Sequence, residues 1–65
     1  MKNKKYCVDF VNGYLVLSFR KFLFLKKIKF ITYNSLFNYS ISHDLPINHF
    51  EYTESAILEI LPNID

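Results

Sequence analysis

Tyr6-Cys7-Val8-Asp9-Phe10-Val11-Asn12-Gly13-Tyr14-Leu15-Val16-Leu17-Ser18-Phe19 decides the fold of this chain. Asn-Gly between two apolar runs is the preferred type I′ hairpin turn, because both residues tolerate positive φ. A two-residue loop fixes the register. Val11 falls opposite Tyr14, Phe10 opposite Leu15, Val8 opposite Leu17 and Tyr6 opposite Phe19. One face of the hairpin then carries Tyr6, Val8, Phe10, Leu15, Leu17 and Phe19, all apolar; the other carries Cys7, Asp9, Val11, Tyr14, Val16 and Ser18. Turn chemistry and side-chain alternation agree, and a one-residue slip would turn the whole apolar set outward.

Working outward, residues 19–31 read better as strand than as helix, since a helix here would be apolar all round its axis. A turn at Lys26-Lys27 sets Leu25 opposite Ile28 and Leu23 opposite Phe30. The preceding strand then runs from 14 to 25, long enough to require a bend or bulge near Arg20-Lys21. A second hairpin around Asn34-Ser35 pairs Thr32 with Phe37, Phe30 with Tyr39 and Ile28 with Ile41. Ser42-His43-Asp44-Leu45-Pro46 reads as a loop. Asn48 is a candidate helix cap with Glu51 at the third helical position, opening a helix from His49 to Leu61 that stops before Pro62. Phe50, Ile57, Leu58 and Leu61 form its expected inner stripe, with Glu51, Glu54 and Glu59 outside.

The expected fold is therefore small α+β, one domain over residues 1–65. It is an antiparallel β-meander of three to four strands with one C-terminal α-helix packed on one face. The opposite sheet face would show Val11, Tyr14, Val16, Phe22, Phe24, Ile31, Tyr33 and Leu36. That is too apolar to leave in water on so small a domain, so either the sheet curls into a barrel or another copy or a partner covers it.

Size and composition point the same way. A chain of 65 residues buries only ~60% of its unfolded surface and is marginal without help from disulfides, a metal or oligomerisation. The single cysteine, Cys7, excludes an internal disulfide and a multi-cysteine zinc site. Aromatic residues make up 18% of the chain and compensate through the large area each buries. Phe, Ile, Lys, Asn and Tyr supply 32 residues while Gly, Ala, Arg and Pro supply five, the mark of an A/T-rich gene. Such genes are typical of phages and mobile elements of A/T-rich bacteria, of those bacteria, and of organellar and protist genomes. No secretory signal or membrane span is read, so a cytoplasmic protein with no membrane partner is expected, inside a host bacterium if the gene is a phage's.

Charge is sharply divided. Residues 1–32 carry Lys2, Lys4, Lys5, Arg20, Lys21, Lys26, Lys27 and Lys29 against Asp9, a formal +7; residues 33–65 carry Asp44, Glu51, Glu54, Glu59 and Asp65, a formal −5. The halves can meet within one chain, between copies, or with a partner. Arg20, Lys21, Lys26, Lys27 and Lys29, interleaved with Phe19, Phe22, Phe24 and Phe30, are the candidate nucleic-acid surface. The competing account makes the rings core and the lysines a solvated edge that blocks strand-to-strand aggregation, and a single arginine weakens the nucleic-acid case.

Chemistry is otherwise sparse. His43, Asp44 and His49, with or without Cys7, match no established zinc spacing and read as loop polar groups. Cys7 reads as a small strand residue rather than a nucleophile. The glutamates of the last helix read as its wet side. With one glycine there is no phosphate-cradling loop. No catalytic residue, metal or cofactor is assigned, and an enzyme is not expected. The leading expectation is a non-enzymatic protein-binding module that acts as a homo-oligomer, in the manner of a phage or mobile-element inhibitor of a host protein. Its expected interface is Tyr14, Val16, Phe22, Phe24, Ile31 and Tyr33, because aromatic side chains dominate interface energetics. The alternatives are a nucleic-acid-associated protein, such as a small ribosomal or ribonucleoprotein component, and a subunit of a larger assembly.

Overall fold

The structure, a computed structural model, describes residues 5–63, apart from the side chain of Asn63; Lys2, Lys4 and Asp65 of the charge split lie outside the described residues. Strands β1 (Tyr6–Val11) and β2 (Tyr14–Lys21) form the first hairpin, with the register that Asn12-Gly13 dictates, from Val11↔Tyr14 to Tyr6↔Phe19. Both turn residues have positive φ, 53° at Asn12 and 85° at Gly13. Strand β3 (Phe24–Phe30) follows, antiparallel to β2. The chain continues through helix α1 (Tyr33–Ser42), a single 3-10 turn (Ile47–His49), the short strand β4 (Glu51–Tyr52), helix α2 (Glu54–Ile60) and a last 3-10 turn. The sheet order is β3-β2-β1-β4, with β4 parallel to β1. The architecture is small α+β, as expected, but the sheet is mixed rather than an antiparallel meander and two helices stand in place of one, both contributing to one core against one sheet face.

Three expectations are corrected. First, the turn after β2 falls at Phe22-Leu23, not Lys26-Lys27; Lys21 pairs with Phe24, Leu17 with Ile28 and Leu15 with Phe30. The 26–27 turn would have paired Phe30 with Leu23, beyond the stretch of β2 that β1 reaches. In the observed register β3 lies beside the same stretch that β1 pairs, so Phe30 joins Tyr6, Val8, Leu15, Leu17 and Phe19 in the core and Ile28 packs against them. Three strands then share one apolar cluster instead of one strand running off it. The bend expected near Arg20-Lys21 is replaced by the end of the strand.

Second, the hairpin around Asn34-Ser35 is instead helix α1. Thr32 caps it: the Ser35 amide donates to its Oγ1 at 3.2 Å. Tyr33, Leu36, Phe37 and Ser40 fall at helical spacing, and Leu36 and Ser40 are fully buried. A serine occupies a core position without an unpaired hydroxyl because Ser40 Oγ donates to the Leu36 carbonyl at 2.8 Å. Leu36, expected on the second sheet face, is therefore core. The barrel alternative falls with it, since β3 and β4 end an open sheet.

Third, the last helix neither starts at Asn48 nor presents the expected stripe. Thr53 is its cap, accepting from the Ala56 amide at 3.2 Å. Ala56 and Ile60 are its buried residues, while Ile57, Leu58 and Leu61 are exposed; Phe50 is buried but precedes β4. The cause is a tertiary anchor at the helix start. The Thr53 amide donates to the Val8 carbonyl at 3.0 Å and Thr53 Oγ1 donates to Asp9 Oδ1 at 2.8 Å. Asp9 also accepts from the Phe10 amide at 2.8 Å. This clasp sets the rotation of α2 and turns Ile57 away from the sheet. Glu54 and Glu59 are exposed on α2, as expected, whereas Glu51, expected at the third position of that helix, is exposed on β4 instead.

Candidate docking surface

The β2–β3 hairpin is longer than the core beneath it. Inner-face burial fades along β3, from buried Phe30 through half-buried Ile28 to exposed Lys26 and Phe24. The last buried rung is Phe19, opposite Lys26. Beyond it the hairpin projects by roughly 10 Å, three residues at strand rise. This overhang carries Phe22, Leu23, Phe24 and Leu25, which are 84%, 88%, 74% and 60% exposed.

The tip is also strained. Phe22 stands at φ 57° in the two-residue loop, a position that favours glycine or asparagine. A side chain with a Cβ there costs about 1 kcal/mol. A large aromatic residue is thus held in an unfavourable backbone conformation and in water. Such outliers point toward function.

Around the tip lie only cations. Strand alternation puts Arg20, Lys27 and Lys29 on the outer sheet face, and Lys21 and Lys26 on the inner side. No acid occurs between residues 10 and 43. Of the five residues expected to contact nucleic acid, Arg20, Lys21, Lys26 and Lys27 share the arm, whereas Lys29 lies opposite Val16 toward the other end of the sheet; all five are exposed. Lys29 Nζ stands 5.5 Å from the Tyr14 ring centroid, a cation–π contact that holds both on the outer face.

The expected protein interface, by contrast, is split among three places. Phe22 and Phe24 are on the tip. Tyr14 and Val16 are on the outer face, Val16 half-buried. Ile31 and Tyr33 sit at the β3–α1 connection, beside a hollow of about 330 Å³ lined also by Leu15, Thr32, Asn34, Glu59 and Ile60. Leu23 and Leu25 complete the tip and were not among the expected anchors. Placing the turn at Lys26-Lys27 hid them within a strand.

A second hollow, of about 240 Å³, is lined by Tyr33, Tyr52, Ile57, Ile60 and Leu61. Its residues come from elements far apart in sequence, and the sequence pattern points Ile57 and Leu61 inward. Burial is the main reason that the Tyr52 phenol is raised from 10.0 to about 12, with the nearby Tyr33 phenol and a side-chain hydrogen bond to it adding to the shift. The folded protein thus holds this proton more tightly than the unfolded chain does. The resulting stabilisation is complete below pH 10 and is lost as pH rises from 10 toward 12. Denaturant unfolding across that range should show stability falling in the parent, and falling less in Tyr52→Phe.

Of the polar residues weighed for metal or thiol chemistry, His43 has a structural role. His43 ends α1: its Nδ1–H donates to the Tyr39 carbonyl at 2.9 Å, and its ring stacks on Tyr39 with centroids 4.0 Å apart. Cys7 is half-buried on β1. Among the described residues no three His, Cys, Asp or Glu side chains are grouped to hold a metal ion. No helix among them is long and apolar enough to cross a membrane. Comparison with protein families, with curated proteins and with solved structures finds no match to this chain.

Proposed function

We propose that this chain is a small non-catalytic protein-binding module whose contact surface is the overhanging β2–β3 arm. The observation that carries the reading is the tip, where four adjacent large apolar side chains are exposed at the end of a hairpin with no layer over it. Burying such side chains against a partner contributes roughly 1.5–3 kcal/mol each when complete. The cations beside them orient the approach of an acidic surface and speed its association. Occlusion of a host protein by a phage or mobile-element product is one use of such a module, suggested by the A/T-encoded composition.

The gathering of Arg20, Lys21, Lys26 and Lys27 on the same arm, with Lys29 further back along β3, favours a second reading, nucleic-acid binding. Leu23 and Leu25 argue against it, because aliphatic side chains offer no stacking surface to a base. Fluorescence-anisotropy titration with labelled single- and double-stranded RNA and DNA separates the two. The protein-binding reading expects no binding near physiological salt. Micromolar or tighter binding that weakens steeply with salt and is lost in Lys26→Glu/Lys27→Glu would replace it with the nucleic-acid reading.

A further inference from the structure

We infer that the occupant of the tip is a second copy of this chain, docked head to tail, with Phe22 and Leu23 seated in the hollow between Tyr33, Tyr52, Ile57, Ile60 and Leu61. The inference rests on reading the arm as a protein contact, and the molecule itself supplies the complementary surface. The hollow is apolar and open, and of a size to take large side chains. Its borders are acidic where the tip's are basic. Glu54 lies one helical turn before Ile57 on the same side of α2. Glu59 lines the adjoining hollow together with Tyr33 and Ile60. Residues 44–63 contain Asp44, Glu51, Glu54 and Glu59 and no lysine or arginine. The arm carries the opposite charge without a single acid. An apolar knob in a basic collar thus meets an apolar hollow with acidic borders, and the charge division of the sequence becomes an arrangement of two ends.

One chain cannot make this contact with itself. The hollow shares Tyr33 and Ile60 with the one that reaches Leu15, at the Asn12-Gly13 end of the sheet. From Leu15 to Lys21 is roughly 20 Å along β2 at strand rise. Knob and hollow therefore lie toward opposite ends of a molecule 35 Å long. A contact between unlike surfaces leaves one knob and one hollow free on every dimer. It propagates into a closed ring or an open chain of subunits. Four side chains exposed to this degree offer on the order of 500 Å² to the partner, toward the low end of specific interfaces, so assembly is reversible.

Sedimentation velocity of the full chain, over micromolar to sub-millimolar concentration and at two salt concentrations, tests this. The parent should sediment as concentration-dependent oligomers that shrink as salt rises. Phe22→Asp/Leu23→Asp breaks the knob, and Leu61→Lys breaks the hollow at an exposed position where folding is not at risk. Ile57→Lys is a second hollow variant. Each variant alone should be monomeric, with self-association at least about tenfold weaker. Mixing a knob variant with a hollow variant should restore a one-to-one dimer and nothing larger, because one intact knob and one intact hollow remain. A monomeric parent, a mixture that stays monomeric, or knob and hollow variants that dimerise unaided would each overturn self-docking. So would a monomer whose Phe22 and Leu23 drive co-sedimentation with phosphatidylserine-containing vesicles, which would make the tip's occupant a lipid surface. None of these outcomes depends on the nucleic-acid titration, so self-docking and the protein-binding reading fail separately.

Discussion

Leu17→Ala is expected to leave the protein largely unfolded, whereas Leu25→Ala is expected to change its stability by no more than about 0.5 kcal/mol. Leu17 is fully buried and sits between Val8 on β1 and Ile28 on β3. Truncating such a leucine costs ~2–5 kcal/mol, through lost transfer energy and the cavity left behind. A chain of 65 residues has roughly 3–10 kcal/mol in all. Leu25 has the same parity along the chain, and a turn at Lys26-Lys27 would place it on the Leu17 face. The turn at Phe22-Leu23 puts it opposite Arg20 on the outer side, 60% exposed. Urea unfolding of the two variants therefore tests the register directly. Comparable losses in both, or a loss below about 1 kcal/mol for Leu17→Ala, would contradict it.

Phe22→Gly is expected to separate stability from binding. Glycine adopts φ near 57° without strain, which offsets the greater freedom it gives the unfolded chain. Stability should stay level or rise by up to about 1 kcal/mol. Self-association should fall by about tenfold or more, since the knob loses its largest side chain. Urea unfolding and sedimentation of the same preparation give both quantities. A variant that loses more than about 1 kcal/mol while associating normally would mean that Phe22 supports the fold rather than a contact. The conjunction matters because a strained, exposed aromatic residue contributes nothing evident to this fold.

Lys26-Lys27 reads as a turn because lysines belong in water, but an edge strand also places lysines there, where they block pairing with other chains. Phe22-Leu23 reads as strand because apolar residues belong in a core, and nothing local reveals that the core ends at Phe19. Helix α1 is hard to recognise from sequence because its inward face includes a serine, whose self-contained hydrogen bond removes the cost of burying it. The caps Thr32 and Thr53 lacked the acidic third residue that makes such a start conspicuous, having Ser35 and Ala56 there instead. The tip follows from the same uncertainty: its residues and its cations were legible, but their juxtaposition required the right turn.

By itself, the sequence determined what local geometry controls. Asn12-Gly13 set the turn, the two-residue loop set the β1–β2 register, and period-two alternation chose the buried face, because each depends on residues within a few positions of one another. It also determined that the basic and acidic residues lie in separate halves of the chain. Only the tertiary structure decided where β3 sits along β2, because that choice depends on bringing Ile28 and Phe30 over a core built by β1. It alone rotated α2, through the bonds from Thr53 to Val8 and Asp9, 45 and 44 positions earlier in the chain. These contacts bring together residues that no local pattern connects, and from them come the projecting tip at one end of the molecule and the open hollow toward the other.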